Sequence, residues 1–422
     1  MSDYCIEIDG DTLTQVETAR KSIMERYCET LKAGLPMDEM RNSGTYFYLE
    51  SIEEYLGGAW VKVTGHGEML MFGGYSYLGL NRHPKINEAA VEAIARYGTG
   101  AHGARLLAGT TEIHRELESS IARFKKTESA ALFSSGFLAN LSAITFLVGR
   151  GDIVICDKLD HASILDGCMM SGARMIRFRH NDMGHLESCL RETAGHKGRR
   201  LVIVDGVYSM DGDIADLPAI SGLCKKHGAL LMVDEAHSVG MLGATGRGIE
   251  EHFGLPPDTI DVKMGTVSKS IPSLGGYIAS SARLCDLLRH TGRGFIYSAT
   301  VPPASAAAAV AGIKVIEEEP WHVQNLHRNM AYFANRLRQE GFNFLESPTA
   351  IFPIVFGDNL RTSTMSKGCQ SRGLYVQAIP HPVVPEGTAR LRAAVNANHT
   401  LEDLDFAIKT LQDSRAAMES LG

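Results

Sequence analysis

From about residue 84 onward, short apolar runs alternate with stretches of helical periodicity, and this alternation restricts the possible fold more than any other feature of the chain. Runs at 130–133, 153–156, 174–178, 201–204, 230–233 and 262–264 predict buried strands. Helical spacing over 112–125, 138–148, 186–192 and 218–227 separates most of them. Strands of this kind, joined by helical crossovers, predict an α/β fold with a mainly parallel sheet covered on both faces. Ligands of such sheets bind beyond the carboxyl ends of the strands. The polar residues that follow each apolar run are therefore the candidates for chemistry.

The flanks read differently. Val16, Ile23, Tyr27 and Leu31 are spaced for an amphipathic helix over 12–31. Two strand-like runs, 60–63 and 69–72, bracket Thr64-Gly65-His66-Gly67 and predict a hairpin. After Pro302-Pro303, helices are predicted over 304–319 and 322–341, strands over 351–356, 374–379 and 390–395, and a last helix from Leu401. The expected division is an N-terminal helical arm over 1–60, a large domain over 61–303 and a smaller C-terminal α+β domain over 304–422.

Composition narrows the function. The 422 residues carry a formal net charge of −7, with lysine and arginine spread along the chain and no basic block. That argues against nucleic acid or a membrane surface as partner. No apolar run approaches the roughly 20 residues of a membrane span. The 8 cysteines include no CxxC pair, and no signal peptide is evident, so a reduced, cytoplasmic protein without a metal centre is expected.

Five polar clusters stand at successive strand ends. Lys269 follows the strand at 262–264 amid Thr266, Ser268 and Ser270, as a Schiff-base lysine beside phosphate donors would. The bland alternative is a solvated loop lysine. Asp234 ends the apolar run at 230–233, with His237 three residues on. It suits pairing with a protonated pyridine nitrogen, though a helix cap or a Mg²⁺ ligand reads equally from position alone. Ser134-Ser135-Gly136-Phe137 marks a strand-to-helix turn whose free amides suit a phosphate. His161 follows the strand at 153–156, placed to stack on an aromatic cofactor, and Ser209 follows the strand at 201–204.

Together these stretches resemble the α-oxoamine synthases, fold-type I pyridoxal-phosphate transferases. The likeness rests on FSSGF.AN (133–140), DKLDHASILDG (157–167), DGVYSMDGD (205–213), VDEAHSVG (233–240) and GTVSKS (265–270). GTGAHGARLLAGTTEIHRELE (98–118) resembles the family's glycine-rich segment, and the likeness runs from about Tyr75 to His399.

The resemblance implies that Lys269 carries pyridoxal 5'-phosphate, His161 stacks on its ring and Asp234 pairs with the ring nitrogen. His237 and Ser209 would contact the ring oxygen or substrate, and Gly136, Phe137, Thr266 and Ser268 the phosphate. YSATVPP (297–303) matches a segment that reaches the phosphate of a neighbouring subunit, which makes Ser298 and Thr300 candidates and a homodimer the expected assembly. VPEGTARLRAAVNANHT (384–400) points to Arg392 as the grip on the substrate carboxylate. Its neighbour Arg390 is expected on the opposite strand face.

Three departures bear on specificity. Ser76 stands where family members carry asparagine, and it is expected near the substrate. Pro380 and His381 occupy the place of a second arginine, and AHGAR the place of a Ser-Gly-Gly-Ser-Arg segment. The implied reaction is decarboxylative condensation of a small amino acid with an acyl thioester, from coenzyme A or a carrier protein. The alternatives are an aminotransferase or lyase of the same fold, or a catalytically silent partner subunit.

Overall fold

The computed structural model describes residues 18, 20, 22–28, 37–42, 44, 46 and 48–420. The chain forms two compact units, Met1–Tyr48 and Leu49–Gly422. In the first, residues 18, 20 and 22–28 of the predicted helix are helical, and a short helix covers Met37–Asn42. The rest of the 12–31 span, with Val16 and Leu31, lies outside the described residues.

The second unit opens with β1 (Ile52–Gly57), β2 (Trp60–Val63) and β3 (Gly67–Met71). β2 and β3 form the predicted hairpin, antiparallel from Trp60↔Leu70 to Val63↔Gly67. β1, paired to β2, lies within the stretch expected as a helical arm. The second unit takes in both the 61–303 and the 304–422 segments.

The central sheet comprises β4 (Ser129–Phe133), β5 (Ile153–Asp157), β6 (Arg174–Phe178), β7 (Arg200–Asp205), β8 (Leu230–Asp234), β9 (Val262–Thr266) and β10 (Gly276–Ser280). Their order is β4-β10-β9-β8-β7-β5-β6. β6, β5, β7, β8 and β9 run parallel, while β10 is antiparallel to both β9 and β4. β10 corresponds to none of the predicted strands. It returns the chain immediately after the Lys269 loop.

Successive residues of one strand enter two different cores, as period-two geometry requires. Ile153, Ile155, Val202, Val204, Leu231 and Val233 pack on one face with Leu117, Ile121, Leu186, Ile220 and Ile313 from helices. Val154, Cys156, Leu201, Ile203 and Met232 pack on the other with Ala139, Ile144, Ile164, Cys168 and Leu288. Both faces are covered, which is why these strands read as continuous apolar runs rather than alternating ones.

The carboxyl-terminal part adds β11 (Ile351–Gly357), β12 (Leu374–Tyr375), β13 (Gln377–Ile379) and β14 (Ala389–Ala394). β11, β14 and β13 form an antiparallel sheet, and β12 pairs parallel with β3. The single strand predicted over 374–379 is thus two strands in two sheets.

One buried ion pair ties a helix to the end of β8. Lys125, after helix Glu112–Phe124, places Nζ 2.7 Å from Glu235 Oε2, and the side chains are 2% and 0% exposed. Glu235 Oε1 accepts the Ile249 amide at 3.0 Å. Removing one partner leaves a buried charge without compensation, which costs roughly 3–5 kcal/mol. Lys125→Met is therefore expected to lower stability by about that amount, read from the denaturant midpoint. Lys125→Met combined with Glu235→Leu should recover much of the loss.

Candidate active site

The last residues of β5, β7 and β8 are Asp157, Asp205 and Asp234, so the carboxyl edge of the sheet collects three buried carboxyls. A cavity of about 210 Å³ opens beyond this edge. Its wall brings together nine of the residues expected from the sequence: Gly136, Phe137, His161, Ser209, Asp234, His237, Thr266, Ser268 and Lys269. Ser135, Asn140, Ser163 and Asp205 complete most of the lining.

Asp234 is held by two donors. Asn140 Nδ2 lies 2.7 Å from Oδ2, and the Ala236 amide 2.8 Å from Oδ1. Asn140 Nδ2 also donates to Ser163 Oγ at 2.9 Å, and Ser163 Oγ stands 2.8 Å from His161 Nδ1. One amide with two N–H groups thereby links the carboxylate at one side of the cavity to the imidazole at the other. The His161 backbone N–H donates to Asp205 Oδ2 at 3.0 Å, which fixes the loop as well as the ring. Asn140 and Ser163 had no assigned role in the sequence. The available signal was a lone asparagine in the apolar helix Gly136–Leu147.

Burial dominates the charges here. It lowers the Lys269 ammonium pKa, while Asp234 and Asp205 pull it partly back and Arg392 lowers it further. Burial also drives the His237 pKa well down, with Lys269 and Arg392 adding to the effect, so its ring is neutral. Burial raises the Asp205 carboxyl well above the usual range, helped by Asp234 and Asp160. His237 Nδ1 lies 2.7 Å from the Tyr77 hydroxyl, which accepts from an Arg392 terminal nitrogen at 3.3 Å.

Four expected residues do not line this cavity. Ser76 lines a separate one, and its hydroxyl is buried without a partner. Neighbouring side chains of the segment diverge, so Tyr75, whose ring lies 5.9 Å from Lys269 Nζ, and Tyr77 face the site in its place. Arg392 is not a lining residue but adjoins one: it is 8% exposed, and its Nε donates to Ser209 O at 2.7 Å. Ser298 and Thr300 are outside their own chain's cavity; Ser298 Oγ lies 3.2 Å from Ser134 Oγ.

The expectation for Arg390 needs correction. Residues 390 and 392 are two apart on β14 and share a face. Both reach the 209–211 loop, and only their partners differ: Arg390 pairs with Asp211 and donates to Met210 O at 3.2 Å.

The loop carrying Ser209 is braced by His180. Its Nδ1 meets Asp157 Oδ1 at 2.9 Å and its Nε2 meets Asp213 Oδ2 at 3.0 Å. Burial alone would lower its pKa, but hydrogen bonds to the two carboxylates raise it to about 10. In the unfolded chain it titrates near roughly 6.5. The stabilisation is therefore complete below that value and is lost as pH rises through about 10. The stability margin of the protein over its His180→Gln variant is expected to shrink across this window in denaturation midpoints at graded pH.

The residues present fit pyridoxal phosphate. They supply a lysine of lowered basicity, a fixed carboxylate, a buried Asn140 Oδ1 without a partner, and hydroxyls beside a helix N-terminus. Thr266 Oγ1 and Ser268 Oγ lie 2.6 Å apart, and Ser135 caps the helix through the Leu138 amide at 3.2 Å. Glycine is required where β10 meets this turn, because a Cβ on Gly276 would come within 2.4 Å of Ser135 O and 2.6 Å of Gly136 Cα.

Comparison with known proteins agrees with this geometry. Residues 68–411 match the family model "Aminotransferase class I and II". The chain is 43% identical over 378 residues to the 8-amino-7-oxononanoate synthase of Geobacter sulfurreducens, covering 89% of this chain and 95% of that one. It is 40% identical over 398 residues to 8-amino-7-oxononanoate synthase 1 of Bacillus subtilis, covering 94% and 100%. Among solved structures, the serine palmitoyltransferase of Sphingomonas wittichii superposes with a TM-score of 0.87 at 32% identity, covering 91% of this chain and 96% of that one. A high-resolution structure of SPT with PLP gives 0.88 at 33%, with the same coverage. With the lysine, the aspartate and the histidine on one cavity, these likenesses show that the chain belongs to the aminotransferase class I and II family, and within it to the α-oxoamine synthases, the pyridoxal-phosphate-dependent acyltransferases.

Proposed function

We propose that the protein joins a small α-amino acid to an acyl thioester at the Lys269 cavity, releasing carbon dioxide and free thiol. The observation that carries this reading is the convergence of Lys269, Asp234 and His161 on one wall system. Bound there, pyridoxal phosphate supplies the electron sink for negative charge at the amino-acid α-carbon.

The chain's residues perform the rest. Lys269 Nζ, its basicity reduced by burial, takes the α-proton. Asp234, immobilised by Asn140 and Ala236, offers a fixed anion to the ring nitrogen. His161, held by Ser163 and Asp205, would cover the face of the bound ring. The neutral His237 keeps Nδ1 on Tyr77, leaving Nε2 to polarise the thioester carbonyl. Arg392 grips the substrate carboxylate beside Ser209 and Tyr77. Ser76 stands outside this set and lines a separate cavity.

A homodimer completes the phosphate site. Ser298 and Thr300, which do not line their own chain's cavity, reach the neighbouring subunit's phosphate. Among the described residues all seven cysteines are free thiols, in keeping with a cytoplasmic setting. No described helix is long and apolar enough to cross a membrane.

The relatives' name directs the choice of substrate. An 8-amino-7-oxononanoate product, cut between its oxo and amino carbons, comes from alanine and a seven-carbon dicarboxylic acyl group. Serine with a palmitoyl thioester is the second reading, favoured by the structural likeness to serine palmitoyltransferase. The test incubates holoenzyme with alanine, serine or glycine against each thioester, following free thiol, carbon dioxide and product mass. An alanine-derived aminoketone with stoichiometric thiol is expected. A keto-acid product without thiol release would replace this reading with an aminotransferase.

A further inference from the structure

Away from the cofactor cavity, three side chains from separate elements converge, and the hydrogen bond between His83 Nε2 and Glu319 Oε2 leaves the third, His322, unaccounted for. His83 precedes helix Pro84–Tyr97, Glu319 follows helix Pro303–Glu318, and His322 lies in the first turn of helix Trp321–Gln339. Glu319 Oε2 is 3.2 Å from His83 Nε2 and 3.5 Å from His322 Nε2, and each of the three side chains offers a ligand atom within 4.8 Å of the others. His322 is 3% exposed, yet neither of its ring nitrogens has a hydrogen-bond partner. His83 Nδ1 is also buried and unpartnered. Buried polar atoms are nearly always satisfied, so this cluster requires an explanation.

Ligand geometry supplies one. Nitrogen and oxygen ligands bind zinc at roughly 2.0–2.1 Å, so two ligands on a tetrahedral ion stand about 3.3 Å apart. The two contacts to Glu319 Oε2 fall on either side of that edge length. Glu319 Oε1 is taken separately, by Lys85 Nζ at 2.7 Å, which orients the carboxylate and leaves Oε2 to the histidines. A cavity of about 290 Å³, lined by His83, His322, Trp321 and Asn398, gives room for a water as fourth ligand.

A second cluster, His180 with Asp211 and Asp213, lacks these features. Both His180 nitrogens are hydrogen-bonded and Asp211 is paired with Arg390.

We infer that His83, Glu319 and His322 bind a divalent transition-metal ion of the zinc type at a site distinct from the cofactor. Two imidazoles and one carboxylate suit zinc, with an open fourth position. The ion clips the start of one helix to the junction between two others. No spacing in the sequence announces it, because His83 is far in the chain from Glu319 and His322.

The test uses full-length holoenzyme, stripped with chelator and dialysed against zinc chloride, with bound metal measured per chain. One equivalent is expected, and both His322→Ala and Glu319→Gln should weaken binding at least about tenfold. His180→Gln should bind as the parent does. X-ray absorption at the zinc edge of the parent protein should show two imidazoles and oxygen ligands, which tests the site even if a variant fails to fold. No bound zinc, retention in His322→Ala, or sulfur in the coordination shell would each overturn the inference.

Discussion

Lys269→Ala is expected to reduce turnover by at least about 10⁴-fold and to remove the visible absorbance of the lysine-bound cofactor. The reason is that, in the proposed function, one amine has two tasks, holding the cofactor and moving the α-proton. Lys269 can do both because burial lowers its pKa, while Asp234 and Asp205 limit the drop. Lys269→Arg separates charge from basicity. A guanidinium keeps the cation near Asp234 but cannot deprotonate in a protein, so it should be as inactive as alanine. Turnover and absorbance in the purified variants, with circular dichroism to establish folding, check the prediction. Parent-like activity in Lys269→Ala would remove Lys269 from the mechanism.

Asp234→Asn is the second large effect. The substitution keeps the shape and removes the anion proposed to face the ring nitrogen. It also sets an amide N–H against one of two existing donors, Asn140 Nδ2 and the Ala236 amide. Removing one preorganised partner of a developing charge typically costs roughly 10²–10³ in kcat. A loss of that order is expected here, with KM for the amino acid little changed, because the charge develops after substrate is bound. Steady-state kinetics with the amino acid varied would read the split. A rise in KM at unchanged kcat would instead assign Asp234 to substrate binding.

Local signals were strong wherever chemistry sat directly after an apolar strand. Asp234, His161 and Lys269 were legible because each closely follows a buried apolar run. β10 was not legible, since Gly276–Ser280 follows the Lys269 loop with no helical stretch between to mark it as a new strand. Helix Asn359–Gln370 escaped for a related reason: NLRTSTMSKGCQ carries no apolar stripe at helical spacing. Ser76 was chosen by analogy of position, but neighbouring side chains face apart, and Tyr75 and Tyr77 meet the site in its place.

By itself the sequence determined the alternating α/β architecture and the polar ends of its strands, Lys269 among them. These depend on periodicity and on what directly follows a strand, both of which are local along the chain. Only the tertiary structure decided the second layer of the site. Asn140 reaches Asp234 across 94 positions, Tyr77 reaches His237 across 160, and Arg392 reaches Tyr77 across 315. Such contacts arise from packing the sheet edge against distant segments, and no local pattern of residues encodes which side chains that packing will bring together.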